Sequence, residues 1–251
     1  MLKIYNTKTR ELEEFNPLSS RQVKVYHCGP TVYNNAHIWN LKTYVWNDMI
    51  TRVLRFLWYD LKVVMNITDI DDKTIKRSKE TWEKLLDFTK KFTDLFLEDI
   101  KKLNIIIPNE VVPISTLIPE MARMINTMLK RWNAYLSSDS SIYFKISSFN
   151  KYGKLANLDM SGMKESIRID NDEYDKDSAS DFALWKSWSD ADWENFWEEE
   201  FEVKKENIDK SLFNENIKII EEKKDTYLLK IKWRPGWHIE CSACNMKYLW
   251  Q

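Results

Sequence analysis

Glycine is the residue this sequence most lacks. Its 251 residues include 4 glycines, where an average composition of about 7% would give roughly 18. An α/β protein is hard to build with so few, because tight turns and helix ends call for left-handed backbone. Other shortages narrow the class of molecule. Three cysteines, an odd number, argue against a disulfide framework and for a reducing, cytoplasmic compartment. No apolar run approaches the roughly 18 residues of a membrane span. The opening MLKIYNTKTRELEEF also lacks the apolar core of a signal peptide, so no membrane partner is expected. The net charge of -1 gives no support to a strongly basic nucleic-acid binder, although a local basic patch stays open.

Tryptophan is in excess, at 12 residues. The chain is 43% hydrophobic and 31% charged, the balance of a soluble globular protein. It is long enough for a sizeable core in one large domain or two smaller ones.

QVKVYHC (Gln22 to Cys28) reads as a strand with Val23 and Val25 on one face, closed by a turn at Gly29-Pro30. Leu41, Val45, Met49, Val53 and Phe56 recur at helical spacing and predict a helix over 41–57. DLKVVMNIT (Asp60 to Thr68) is a second, buried type of strand, followed by the acidic turn DIDDK. Glu83 to Leu103 is an amphipathic helix through Leu86, Phe92, Leu95, Phe96, Ile100 and Leu103, with Thr81 as its N-cap. Strand, helix, strand, helix within about 80 residues indicates a parallel α/β sheet.

Lys3 to Phe15 forms an N-terminal hairpin in this reading. From Ile107 onward Pro108, Pro113 and Pro119 punctuate the chain. A helix then runs to Arg131, and SIYFKI (Ser141 to Ile146) is a strand of what reads as a separate inserted module. Glu198 to Lys232 is charge-rich, with a hairpin over Ile217 to Lys232. The last stretch, RPGWHIECSACNMKYLWQ, stops in what reads as the middle of a helix.

Cys28 follows a strand, and open α/β sheets bind ligands at the C-terminal ends of their strands. A buried, hydrophobe-like cysteine is the plainer reading. His37 precedes the first helix, whose N-terminal N–H groups suit phosphate, and it could equally be structural. Cys241 and Cys244 form a lone C-x-x-C without a second pair, compatible with packing on a helix. Asp69, Asp71 and Asp72 could hold a metal, act as bases, or make a solvated turn with a helix cap.

VYHCGPTVYNNAHIWNLKTY, NITDIDDKTIKR, SDFALWK and RPGWHIECSA together closely resemble the cysteinyl-tRNA synthetase family of class I aminoacyl-tRNA synthetases. The four motifs occur in the family's order from Lys3 to the last residue. The resemblance implies a Rossmann-type (HUP-like) parallel α/β sheet interrupted by a connective-peptide insertion and incomplete at the C-terminus. Its parts would be the first half of the catalytic domain with its HIGH-type motif (1–110), the insertion (111–197), a charged hairpin (198–232), and the start of the second half (233–251).

The implied reaction is cysteine plus ATP giving cysteinyl-adenylate and pyrophosphate, followed by transfer to the 3′ end of the cognate tRNA, tRNA(Cys). The implied cofactor is one Zn2+ that binds the substrate thiolate, with Mg2+ accompanying ATP. A soft thiolate prefers zinc over the hydroxyl of serine, so discrimination needs no editing. The family's first two zinc ligands fall on Cys28 and Cys241, its other two in a segment beyond Gln251; Cys244 matches no ligand. The HIGH signature falls on His37-Ile38-Trp39-Asn40, which implies His37 and Asn40 at the ATP phosphates as the catalytic pair. Pro30 and Thr31 join them at ATP, while Gly29, Thr68 and Trp237 fall at family positions around bound cysteine. The KMSKS signature and the tRNA-binding domains are missing, so the polypeptide alone is expected to be inactive. A ligase joining activated cysteine to an amino sugar would share the fold, zinc and HIGH signature. A non-catalytic paralogue would share only the fold.

Against the family pattern, Trp39, Trp58, Trp132, Trp233 and Trp250 stand where glycine is usual, and Trp82 and Trp193 fall in glycine-bearing regions. Trp185, Trp197 and Trp237 match genuine family tryptophans. UGA is read as glycine in some bacterial lineages, as tryptophan in others and as stop in most. Returning the seven to glycine leaves 11 glycines and 5 tryptophans, a far more ordinary composition. A literal Trp39 would put an indole where the family packs adenine, and ATP binding is then expected to fail.

Overall fold

The computed structural model describes residues 2–157, 181–208 and 213–250. Parts of the expected insertion (158–180) and of the charged segment (209–212) lie outside the described residues. In chain order the elements are β1 (Lys3–Asn6), β2 (Glu11–Glu14), β3 (Gln22–His27), α1 (Ile38–Phe56), β4 (Asp60–Ile67), α2 (Asp72–Thr81) and α3 (Leu85–Lys102). Then come β5 (Glu110–Pro113), α4 (Ile118–Lys130), β6 (Ala134–Leu136), β7 (Ile142–Phe144), β8 (Phe182–Ser187), β9 (Trp197–Lys204), β10 (Ile217–Glu222), β11 (Thr226–Pro235) and α5 (Trp237–Leu249). The chain divides into two compact units. Among the described residues no helix is long and apolar enough to cross a membrane.

One unit comprises Pro17–Arg123, Trp188–Trp197 and Arg234–Gln251. Its sheet has the order β3-β4-β5, parallel throughout, with Val25 opposite Val63 and Met65 opposite Val111. Parallel neighbours require crossovers. The first is α1, the second α2 with α3. The central strand β4 is buried continuously from Val63 to Ile67, which is why its sequence is an apolar run rather than an alternation. Val32, Tyr44, Met65, Ile67, Phe96 and Ile100 form the core between sheet and helices. Tyr44 meets Phe96 edge-on at 4.8 Å between ring centroids.

One expectation is corrected here. Thr81 is not an N-cap: it is the last residue of α2, and α3 begins at Leu85 after Lys84, which gives no side-chain cap. The helix α2 itself escaped a periodicity reading because DKTIKRSKET has one strongly apolar residue, Ile75. What makes it a helix is its reciprocal cap, Asp71 Oδ1 accepting from Lys73 N at 2.9 Å and Asp71 N donating to Thr74 Oγ1 at 2.8 Å. The helix expected over 41–57 is present as α1, and its apolar stripe is not its buried face. The buried residues are Tyr44, Thr51 and Leu54, while Val45, Met49, Val53 and Phe56 are exposed.

The other unit comprises Met1–Asn16, Met124–Ser187 and Glu198–Trp233. It holds the expected hairpin β1-β2, Lys3 opposite Glu14. Its larger sheet has the order β10-β11-β8-β7-β6, with β9 also pairing β11. The expected hairpin of the charged segment is β10-β11, antiparallel with Ile217 opposite Ile231. At the centre Trp233 stacks on Phe201 at 5.6 Å and meets Trp185 at 6.2 Å.

Candidate functional site

The site lies in the parallel unit, where β3 and β4 end. Past the last strand residues the ladder continues as a bridge between Thr31 and Thr68. Thr68 N donates to Pro30 O at 3.0 Å, and Val32 N donates to Thr68 O at 3.2 Å. Cys28, Gly29, Pro30, Thr31 and Thr68 are thereby held at one sheet edge, where open α/β folds take their ligands. Gly29 has no alternative: a Cβ there would lie 1.5 Å from the main-chain oxygen of Asn66. The close approach lets Gly29 N donate to Asn66 Oδ1 at 2.9 Å.

Asn66 organises a polar chain through the apolar strand. Its Oδ1 also accepts from Tyr26 OH at 2.8 Å, and its Nδ2 donates to Thr68 Oγ1 at 3.2 Å. Thr68 Oγ1 in turn donates to Glu240 Oε2 at 2.7 Å. Glu240 is buried, and its Oε1 has no hydrogen-bond partner among the described residues. Burial pushes its carboxyl well above the usual range, against the lowering effect of the Thr68 hydrogen bond.

Beside Glu240 on α5, Cys241 faces Cys28 with 3.8 Å between the sulfurs. The hydrogen bond from Cys28 holds Cys241 down at about 6 against the opposing effect of burial, while the same pairing and burial raise Cys28. Cys244 is buried and pushed up to about 12 by desolvation, which makes it a packing residue.

The start of α5 is fixed by a buried ion pair. Arg234 Nε meets Asp192 Oδ1 at 2.6 Å, both side chains almost fully buried, and the Arg234 fork also reaches Asp72. The three acidic candidates of the DIDDK turn are thus each committed. Asp69 accepts from Ser115 N at 3.0 Å and from Ser115 Oγ at 2.5 Å; Asp71 caps α2 and Asp72 pairs with Arg234. Among the described residues no group of three or more His, Cys, Asp or Glu side chains is placed to hold a metal ion.

His37 and Asn40 are brought together at the N-terminus of α1. His37 Nδ1 accepts from Trp39 N at 3.3 Å, and Asn40 Oδ1 accepts from His37 N at 3.0 Å. Both side chains are exposed. Trp237 opens α5, half exposed, with its ring 5.3 Å from that of His238. The sequence reading missed Tyr26, Asn66 and Glu240. A signal existed for Asn66, a lone amide inside the apolar run VVMNI.

A parallel α/β unit with its polar groups gathered at the strand ends is the class of fold that takes ligands at that edge. The family model for the catalytic domain of class I (C) tRNA synthetases matches residues 14–203, and the chain belongs to that family. It is 44% identical over 98% of its length to the cysteine–tRNA ligase of Brachyspira hyodysenteriae, covering 46% of that protein. It is 39% identical over its whole length to the cysteine–tRNA ligase of Chlamydia muridarum, and 38% identical over 98% to that of Methanosarcina mazei, again covering 46% of each. The chain therefore spans about half the length of these curated relatives.

Proposed function

We propose that this chain is the N-terminal catalytic part of a cytoplasmic cysteine–tRNA ligase. The observation that carries the reading is the thiol pair Cys28–Cys241 at 3.8 Å, set at the sheet edge next to Gly29 and Thr68. The names of the relatives support it. A tetrahedral zinc with Zn–S bonds of about 2.3 Å places two of its sulfurs about 3.8 Å apart, so the pair fits half of such a site. Cys28 and Cys241 would hold the ion, with further donors from outside this chain. Bound there, zinc supplies a soft acid that takes the thiolate of cysteine and not the hydroxyl of serine.

Around the substrate, Gly29 leaves room for close approach of main chain. Thr68 Oγ1, its proton directed at Glu240, keeps a lone pair for an ammonium group, and Trp237 lines the remaining side. At the α1 start, His37 and Asn40 with Pro30 and Thr31 would face the phosphates of ATP and its Mg2+, aided by the positive end of the helix dipole. The substrate carboxylate attacks the α-phosphorus and pyrophosphate departs. The terminal ribose hydroxyl of the tRNA then takes the aminoacyl group from the adenylate, releasing AMP.

The test is acceptor choice by the full-length gene product, supplied with cysteine, ATP and either tRNA or an amino sugar. Cysteine transferred to tRNA is the expected result. Transfer to the amino sugar alone would replace this reading with the second ligase. Absence of adenylate formation would leave only a fold shared with the family.

A further inference from the structure

Nine residues other than glycine adopt positive φ among those described, and four of them are tryptophan: Trp58, Trp82, Trp132 and Trp193. Tryptophan supplies 12 of the 251 residues, so this share far exceeds its abundance. A bulky side chain in left-handed backbone is a genuine outlier.

The positions are of one kind. After α1, Trp58 N donates to Arg55 O at 2.9 Å and Tyr59 N to Leu54 O at 3.1 Å. After α2, Trp82 N donates to Lys79 O and Glu83 N to Ser78 O; after α4, Trp132 N donates to Leu129 O and Asn133 N to Met128 O. Each pair of bonds is a Schellman motif with tryptophan at its left-handed position, where glycine is the usual occupant. The same bonds follow α3, from Asn104 N to Lys101 O and from Ile105 N to Ile100 O. There the left-handed residue is asparagine, at φ 57°, the side chain that tolerates the conformation best after glycine. Trp193 is more extreme. Its φ of 56° with ψ of -126° is the first central position of a type II′ turn, which belongs to glycine.

The rings stay at the surface, where Trp82 meets Trp193 edge-on at 6.3 Å and the Lys204 ammonium lies 3.9 Å from the Trp132 ring centre. Trp58 and Trp82 are more than four-fifths exposed, and Trp132 and Trp193 are exposed as well. Trp185, which matches a family tryptophan, is fully buried in the core with ordinary strand backbone.

We infer that Trp58, Trp82, Trp132 and Trp193 are glycine in the protein as its own cell makes it, their codons being UGA read as glycine. The inference rests on backbone geometry and stands whether or not the chain ligates cysteine. It also doubles the glycine count from 4 to 8, which eases the shortage without a fold that avoids glycine.

The gene's codons and the mass of the native protein decide it. The expected result is UGA at all four positions, UGG at Trp185, and peptides from the source organism with glycine at each of the four. UGG at the four positions, or tryptophan in the native peptides, overturns it. Stability gives an independent reading on the recombinant full-length product. Trp58→Gly, Trp82→Gly, Trp132→Gly and Trp193→Gly should each raise Tm, and Trp185→Gly should lower it. A fall in Tm for all four exposed sites would contradict the inference.

Discussion

At Gly29 the backbone itself is the functional group. A methyl at this position would overlap the Asn66 carbonyl, so Gly29→Ala must push β3 and β4 apart. Overpacking of this kind costs about 1–3 kcal/mol or more, and the variant is expected to show a lowered Tm together with a raised KM for cysteine. Thr68 offers a milder test: Thr68→Val keeps the shape and removes the hydroxyl that links Asn66 to Glu240. Leaving buried Glu240 with neither oxygen bonded costs roughly 1–3 kcal/mol, and the reading predicts KM for cysteine to rise more than kcat falls in exchange assays. At Trp39, 70% exposed at the α1 start, Trp39→Gly is expected to tighten ATP binding, measured by titration calorimetry; unchanged affinity would show that the indole leaves the phosphate site free. Cys28, Gly29, Thr68 and Cys241 were legible because motifs surround them. Tyr26 and Glu240 were not, since their roles come from partners 40 and 172 residues away.

Elements were readable where burial imposed a pattern. The continuous apolar run of β4 and the turn at Gly29-Pro30 sufficed for the parallel unit. The helix α2 was hidden because polar caps, not an apolar stripe, define it, and the exposed stripe of α1 shows that helical spacing alone does not say which face is covered. The join to α5 depends on a contact no local pattern announces. Asp192→Ala would leave the Arg234 guanidinium buried and half-paired. Leaving a buried charge with no partner costs about 3–5 kcal/mol; with Asp72 still on the guanidinium the loss is smaller, and denaturant unfolding should show a clear drop in midpoint. Because α5 carries Cys241, the Cys28–Cys241 pairing should loosen with it, measurable as weaker zinc uptake by Asp192→Ala. Retained stability and zinc uptake would show that α5 is placed by its packing against β4 instead.

On the scale of the whole molecule, α1 presents Trp46, Met49, Ile50, Val53 and Phe56 to solvent, a contiguous apolar surface on one helix. Patches of this kind mark surfaces covered by something else. The 251-residue chain expressed alone is therefore expected to bind a hydrophobic dye and to self-associate with rising concentration, and the full-length product to do neither. Specificity is where the account is most exposed. A site built around a group that the analogue lacks can reject that analogue by about 10⁴-fold or more without editing. The decisive measurement is ATP–pyrophosphate exchange by the zinc-loaded full-length product, with cysteine and with serine. The account predicts exchange with cysteine that exceeds serine by about that factor and collapses in Cys28→Ser and Cys241→Ser along with bound zinc. Equal exchange with the two amino acids, or undiminished exchange in both variants, would contradict it.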